Sequence, residues 1–109
     1  DLDLATISIT SFNEFGEAGI TGAFARLAGR TGTTRGWSDC YGHLLVATGR
    51  VDAMIDPVMS VWDNAPLQPI VEEAGGRFTD LNGVATIHGG AAISTNGLLH
   101  DPVLALLRT

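Results

Sequence analysis

Apolar and small polar residues alternate along residues 4–10, which is the two-residue period of a β-strand. Leu4, Ile7 and Ile9 are the positions expected to face a core. After this strand, apolar residues recur near helical spacing from about Glu14 to Ala28, and the glycine that follows is typical of a helix end. The beginning of the chain therefore predicts a strand and then a helix.

Short apolar runs and longer helical patterns keep alternating through the rest of the chain, separated by glycine, proline and Asn-Gly turn signals. Strands are predicted at 33–36, 51–55, 77–79 and 91–95, and helices at 39–48, 62–74 and 102–108. Strands that alternate with helices are typical of the α/β class, in which helices form layers on a sheet. We therefore expect a single layered domain over residues 1–109.

The composition is that of a globular protein, with 45% hydrophobic residues, but the charge is acidic. The chain has 12 acidic and 6 basic side chains, none of them lysine, and its net charge is −6. Binding of nucleic acid is not expected, because phosphate contacts need a basic face. A chain of this charge that handles an anionic phosphate needs help, and a divalent cation is the usual help.

Cysteine content and the length of apolar runs indicate the setting. Cys40 is the single cysteine, so an internal disulfide and a Cys-x-x-Cys metal pair are both excluded. No apolar run approaches the length needed to cross a bilayer, and the N-terminus lacks the pattern of a signal peptide. We expect no membrane partner and a reducing, cytoplasmic setting.

Three carboxylates stand where predicted elements meet. Asp39 begins one helix, Asp56 ends a strand and Asp63 begins the next helix. Ligands of open α/β sheets gather at the carboxyl ends of strands and at helix N-termini. Mg²⁺ prefers carboxylate oxygens, so Asp63 is a candidate partial metal site. The alternative is that Asp39 and Asp63 only cap helices and that Asp56 only begins a turn.

Five segments carry a resemblance to a known family. Residues 62–65 (Trp-Asp-Asn-Ala), followed by 70–76 (Ile-Val-Glu-Glu-Ala-Gly-Gly), resemble the C-terminal signature of the inositol monophosphatase superfamily. Residues 45–52 and 92–97 are similar to two further stretches of that family. Residues 35–42 (Arg-Gly-Trp-Ser-Asp-Cys-Tyr-Gly) resemble the Gly-Asp-Cys-Tyr region of its histidinol-phosphate phosphatase branch.

The resemblance implies an enzyme, a Mg²⁺-dependent phosphomonoesterase with a layered α/β fold. The aspartate of the Trp-Asp pair is a metal ligand in that family, so Asp63 is expected to hold Mg²⁺ and to be essential for catalysis. Trp62 is expected to pack under Asp63 and to fix its direction. The substrate is expected to be a small-molecule phosphate ester, with histidinol phosphate, of histidine biosynthesis, the foremost candidate.

Residues on the substrate side follow from the same resemblance. Asp39 and Asp56 are expected to face the alcohol part of the substrate, where the ammonium and imidazole of histidinol phosphate would pair with a carboxylate. Arg35 and Ser38 are expected to assist. The three histidines have no ligand-like spacing and are expected to be structural or turn residues.

The chain departs from the family pattern in one respect. The other metal ligands of the family come from an earlier glutamate and an Asp-Pro-x-Asp-Gly-Thr loop, and residues 56–59 and 101–104 do not match that loop. The resemblance is therefore to a C-terminal half, whose partner is the missing N-terminal half, in a protein expected to form a homodimer. Catalysis by this chain alone is not expected. Without the N-terminal half, the chain should expose an apolar face that the other half normally covers.

Two alternative functions stay open. One is an inositol phosphatase or a related sugar or nucleotide phosphatase, which shares the fold and the metal chemistry. The other is a non-catalytic binding or assembly domain, which the missing ligands favour.

Overall fold

The computed structural model describes residues 2–9, 15–16, 19–36 and 39–108. A 3-10 turn at Leu2–Leu4 precedes the strands β1 (Thr6–Ile9), β2 (Thr33–Arg35), β3 (Ala53–Asp56), β4 (Arg77–Thr79) and β5 (Ala92–Thr95). The helices are α1 (Thr21–Arg30), α2 (Asp39–Ala47), α3 (Val61–Glu73) and α4 (His100–Arg108). Strands and helices alternate over most of the chain, so the predicted α/β class is confirmed.

In the described part of the chain, five strands form a sheet in the order β2-β1-β3-β5-β4. β1 is parallel to both of its neighbours, whereas β5 is antiparallel to β3 and to β4. Parallel strands need a crossover, and α1 and α2 provide the connections between β1, β2 and β3. Ile55 of β3 is in register with Ile93 of β5, and both are fully buried at the sheet centre.

Helices cover both faces of this sheet. Ile55 lies in an apolar cluster with Leu27 of α1, whereas its neighbour Met54 lies in a cluster with Val46 of α2. Successive strand residues point to opposite faces, so α1 and α2 are on opposite sides of the sheet. α4 packs beside α1, and α3 packs beside α2. The molecule therefore has three layers, and the N-terminal ends of α2 and α3 belong to the same layer.

The first strand and helix differ from the prediction. Leu4 is in the 3-10 turn and is 80% exposed, so its expected place in the core is wrong. The other two core positions expected in this strand are buried. The helix predicted from about Glu14 is interrupted: residues 15–16 are helical, but α1 begins only at Thr21, because Gly19 has a φ of 75° that a right-handed helix does not accommodate. Residues 10–14 and 17–18 lie outside the described part.

Gly75 and Gly76 end α3 for two different reasons. Gly75 has a φ of 92°, the left-handed conformation common after a helix. At Gly76 a Cβ atom would lie 2.4 Å from the carbonyl oxygen of Thr95, so only glycine fits against β5. This close approach fixes α3 against the sheet. The helix predicted at 62–74 is confirmed to within one residue at each end.

Candidate functional site

Asp63 lies in the first turn of α3, as predicted. Ser60 occupies the N-cap position in an extended conformation, and its hydroxyl donates a hydrogen bond to Oδ2 of Asp63 at 2.7 Å. The side chain of Asp63 is exposed. The positive end of the helix dipole favours a carboxylate at this position, and its exposure leaves that carboxylate within reach of a ligand.

Ser60 and Asp63 have the spacing of a capping box but do not act as one. In a capping box the serine hydroxyl accepts from the N–H of the third helical residue, whose side chain reaches back to the serine N–H. Here Ser60 makes no side-chain bond to the helix backbone, and its hydroxyl bonds to the Asp63 carboxylate. A serine N-cap stabilises a helix by about 1 kcal/mol, and α3 forgoes that stabilisation.

Hydrogen bonds on either side of Asp63 hold the start of α3 in place. The backbone N–H of Met59 donates to Gly90 O at 2.8 Å. The buried side chain of Asn64 donates through Nδ2 to Ile87 O at 3.2 Å and to Ala91 O at 3.4 Å. The exposed carboxylate between these two anchors is therefore carried by backbone that is fixed to the 87–91 loop.

Asp56 ends β3 as predicted, but its side chain is buried, with 1% of its surface exposed. Its Oδ2 atom is 3.0 Å from Nε2 of His43, which is fully buried in α2. A carboxylate at the end of a central strand under a helix needs such a partner, because an unpaired buried charge is costly. Direct contact between Asp56 and a substrate stays a prediction; its observed contact is with His43.

Sequence reasoning did not connect His43 to a carboxylate. Its Nδ1 atom is 2.6 Å from Oγ of Ser94 in β5. With a proton on Nε2, the ring donates to Asp56 and accepts from Ser94, and so links α2 to two strands. The set has the order of a Ser-His-Asp triad, but none of the three side chains is more than 1% exposed, so it serves the fold and not nucleophilic attack. The sequence signal is the spacing of His43 three residues before the buried Val46, on one helix face.

The other residues predicted to face the substrate are Arg35, Ser38 and Asp39, which are near the start of α2 in the sequence. Arg35 is exposed at the end of β2. The backbone of Asp39 forms the first residue of α2. Ser38 lies outside the described residues. Asp39 begins the helix of the layer that also contains the start of α3, whereas Arg35 ends a strand of the sheet.

Trp62 does not pack under Asp63, and the expectation that it does so is wrong. Its side chain is 78% exposed. The buried face of α3 consists of Asn64, Leu67 and Val71, and Trp62 is on the opposite side of the helix. Ile70, two turns further along, is also exposed.

Among the described residues, no helix is both long enough and apolar enough to pass through a bilayer.

Asp63 can supply one ligand to a hard cation such as Mg²⁺. Mg²⁺ takes one or two protein carboxylates and completes its shell with water and phosphate. Asp63 offers such an oxygen, since Oδ1 makes no hydrogen bond to any described residue. No three His, Cys, Asp or Glu side chains meet as a metal site within the described residues. Asp63 therefore fits as one ligand of a larger set.

A second buried histidine lies at the other side of the sheet. His100, expected in a turn, is the first residue of α4 and is fully buried. Its Nε2 atom is 2.7 Å from Oγ1 of Thr79, and its Nδ1 atom is 2.9 Å from Oγ1 of Thr95. Burial and the positive charge of Arg77 lower the pKa of His100 to about 4, against the influence of Asp101. The ring is therefore neutral at pH 7.

The three layers place the chain in the α/β sandwich class. Its candidate site is the exposed carboxylate of Asp63 at a helix start. The model of the inositol monophosphatase family matches residues 6–109, and the chain belongs to that family. The resemblance drawn from the Trp-Asp and Glu-Ala-Gly-Gly segments is thus confirmed.

The similar proteins are longer than this chain. The histidinol-phosphatase of Mycobacterium tuberculosis is 44% identical over 107 residues, which are 98% of this chain and 41% of that relative. An inositol monophosphatase structure from Zymomonas mobilis has a TM-score of 0.88 at 27% identity. The match covers 99% of this chain and 44% of the Zymomonas mobilis chain. An IMPase/NADP phosphatase solved with Mg²⁺ and phosphate shares the fold, with a TM-score of 0.81 at 22% identity over 100% and 41% of the two chains. The chain spans less than half of each.

Proposed function

We propose that this chain supplies Asp63 as one metal ligand of a Mg²⁺-dependent phosphomonoesterase whose substrate is histidinol phosphate. The observation that carries the proposal is the exposed Asp63 carboxylate, which is hydrogen-bonded by Ser60 and not used to cap its own helix. The 44% identity to a histidinol-phosphatase supports the substrate. Residues 1–109 form a C-terminal unit in this proposal, and an N-terminal half supplies the other ligands.

Asp63 contributes a hard, negatively charged oxygen from a backbone that does not have to rearrange. When bound, Mg²⁺ supplies positive charge that stabilises the phosphoryl group during its transfer to water. The anchors at Met59 and Asn64 keep the carboxylate in one place, which favours metal binding because little conformational freedom is lost.

The substrate's alcohol part binds near the start of α2 in this proposal. Asp39 pairs with the ammonium or imidazolium group through a charge-assisted hydrogen bond. Asp56 contributes through His43, its buried partner. His43 belongs to the same helix as Asp39, so the contact between His43 and Asp56 holds that helix on β3. Arg35 and Ser38, which precede this helix in the sequence, assist in binding.

The test uses the complete enzyme that contains this chain. Asp63→Asn is expected to lower kcat/KM for histidinol phosphate by more than about 100-fold, since even residues that only support metal ligands cost 10–100-fold. Asp101→Asn is the matched control, because Asp101 is also an exposed aspartate in the first turn of a helix. A wild-type rate and Mg²⁺ requirement in Asp63→Asn would exclude the proposal.

An inositol phosphatase is the second candidate, and the similarity to the Zymomonas mobilis structure favours it. Inositol phosphate offers no cation to Asp39, so Asp39→Asn separates the two substrates. The substitution is expected to reduce turnover of histidinol phosphate and to leave turnover of inositol phosphate unchanged. Preference of the unmodified enzyme for inositol phosphate would replace the first substrate by the second.

A further inference from the structure

The hydroxyl proton of Ser60 is committed to Asp63. A carboxylate only accepts hydrogen bonds, so the 2.7 Å contact requires Ser60 Oγ to donate and Asp63 Oδ2 to accept. Ser60 is the N-cap residue of α3, yet it makes no side-chain bond to the helix N–H groups. The residue that a helix ordinarily uses for its own stability is here bonded to the carboxylate.

The main chain of Ser60 is itself held on both sides. Its carbonyl oxygen accepts from the N–H of Asn64 at 3.1 Å, and the N–H of the preceding Met59 bonds to Gly90 O. The hydroxyl therefore projects from a fixed point. An exposed aspartate without a partner samples several rotamers, whereas Asp63 has one of its oxygens tied to this point.

We infer that Ser60 is a positioning residue that orients the Asp63 carboxylate for a divalent cation. By bonding Oδ2 it sets the direction of the carboxylate and leaves Oδ1 for the cation. Hydrogen bonds to metal-binding carboxylates have this effect in general, and their loss weakens metal binding 10–100-fold. The inference rests on the proposed role of Asp63 as a metal ligand and adds the residue that prepares it.

The test measures Mg²⁺ binding to the complete enzyme by calorimetry without substrate, for the wild type and for Ser60→Ala, Ser60→Thr and Asp63→Asn. Ser60→Ala is expected to weaken binding at the Asp63 site about 10-fold. Ser60→Thr keeps the hydroxyl and is expected to restore it. The Tm of the metal-free protein should be nearly equal in all three Ser60 proteins, because no cap bond is lost.

Three outcomes overturn the role of Ser60. Unchanged Mg²⁺ binding in Ser60→Ala, together with loss of binding in Asp63→Asn, removes Ser60 and leaves the proposed function intact. A lower metal-free Tm in Ser60→Ala with unchanged Mg²⁺ binding identifies Ser60 as an ordinary cap. Unchanged binding in Asp63→Asn removes the proposed metal ligand, and the role of Ser60 falls with it.

A combined variant shows whether Ser60 acts through Asp63. If it does, adding Ser60→Ala to Asp63→Asn has no further effect on Mg²⁺ binding, because the carboxylate it orients is gone. An additive loss in the double variant contradicts the inference. Should Ser60→Ala fold poorly, Ser60→Gly replaces it, since glycine is well tolerated at N-cap positions and also lacks the hydroxyl.

Discussion

Nε2 of His43 lies 3.0 Å from Oδ2 of Asp56, and both side chains are buried between α2 and the sheet. The pair joins the helix that begins at Asp39 to the strand that leads toward Asp63. Asp56 is thereby part of the packing between α2 and β3, and its contact with a substrate stays a prediction.

Replacing His43 by alanine is expected to lower the free energy of unfolding by about 3 kcal/mol or more, because it leaves the buried Asp56 carboxylate without this partner. Urea denaturation at pH 7 measures the change. His88→Ala is the control, since His88 is exposed and its loss should cost less than about 0.5 kcal/mol. Equal, small losses in the two variants would show that the pair contributes little to stability.

Acid is expected to destabilise the protein through His100. The unfolded ring has a pKa near 6.5 and the folded ring one of about 4, because of burial and Arg77. Above pH 6.5 the ring is neutral in both states and the effect is absent. As the pH falls from 6.5 to 4, only the unfolded state takes up the proton, so stability drops by up to about 3 kcal/mol.

The contribution of His100 is isolated with His100→Gln, whose amide can replace the bonds to Thr79 and Thr95 but does not titrate. Urea denaturation of both proteins between pH 7 and pH 4 gives the two pH profiles. The variant is expected to lose less stability than the wild type across this range. Parallel profiles would mean that the folded protein protonates His100 as easily as the unfolded chain does.

Two glycine-to-alanine substitutions are expected to have opposite signs. Gly76→Ala places a Cβ atom 2.4 Å from Thr95 O and should destabilise by about 1–3 kcal/mol. Gly29→Ala is in α1, where a Cβ atom meets nothing within 4 Å, and should stabilise by about 0.5–1 kcal/mol. Thermal unfolding compares them. A neutral Gly76→Ala would show that α3 is not locked to β5 at this point.

Local signals identified the elements and the Asp63 position. The helix at 61–73 carries its own start signal, its Gly-Gly end and the family motif, so each could be found from neighbouring residues. Gly19, by contrast, broke a pattern that looked continuous, and Leu4 fell outside a strand that its alternation had suggested.

Contacts between distant residues were beyond local reasoning. His43 meets Ser94, which is 51 residues away, only because the sheet places β5 beside β3 under α2. The burial of Asp56 follows from the same topology. Trp62 is expected to be buried because tryptophan is usually buried. It is exposed because it lies on the side of α3 opposite the buried face.

The role of Asp63 is tested most directly by locating a cation. Crystals of the complete enzyme grown with Mn²⁺ and phosphate reveal Mn²⁺ by its anomalous scattering. We expect one ion at about 2.1 Å from a carboxylate oxygen of Asp63, with Ser60 Oγ still bonded to the other oxygen. Ions bound by other residues, with the Asp63 carboxylate directed away from all of them, would contradict the account.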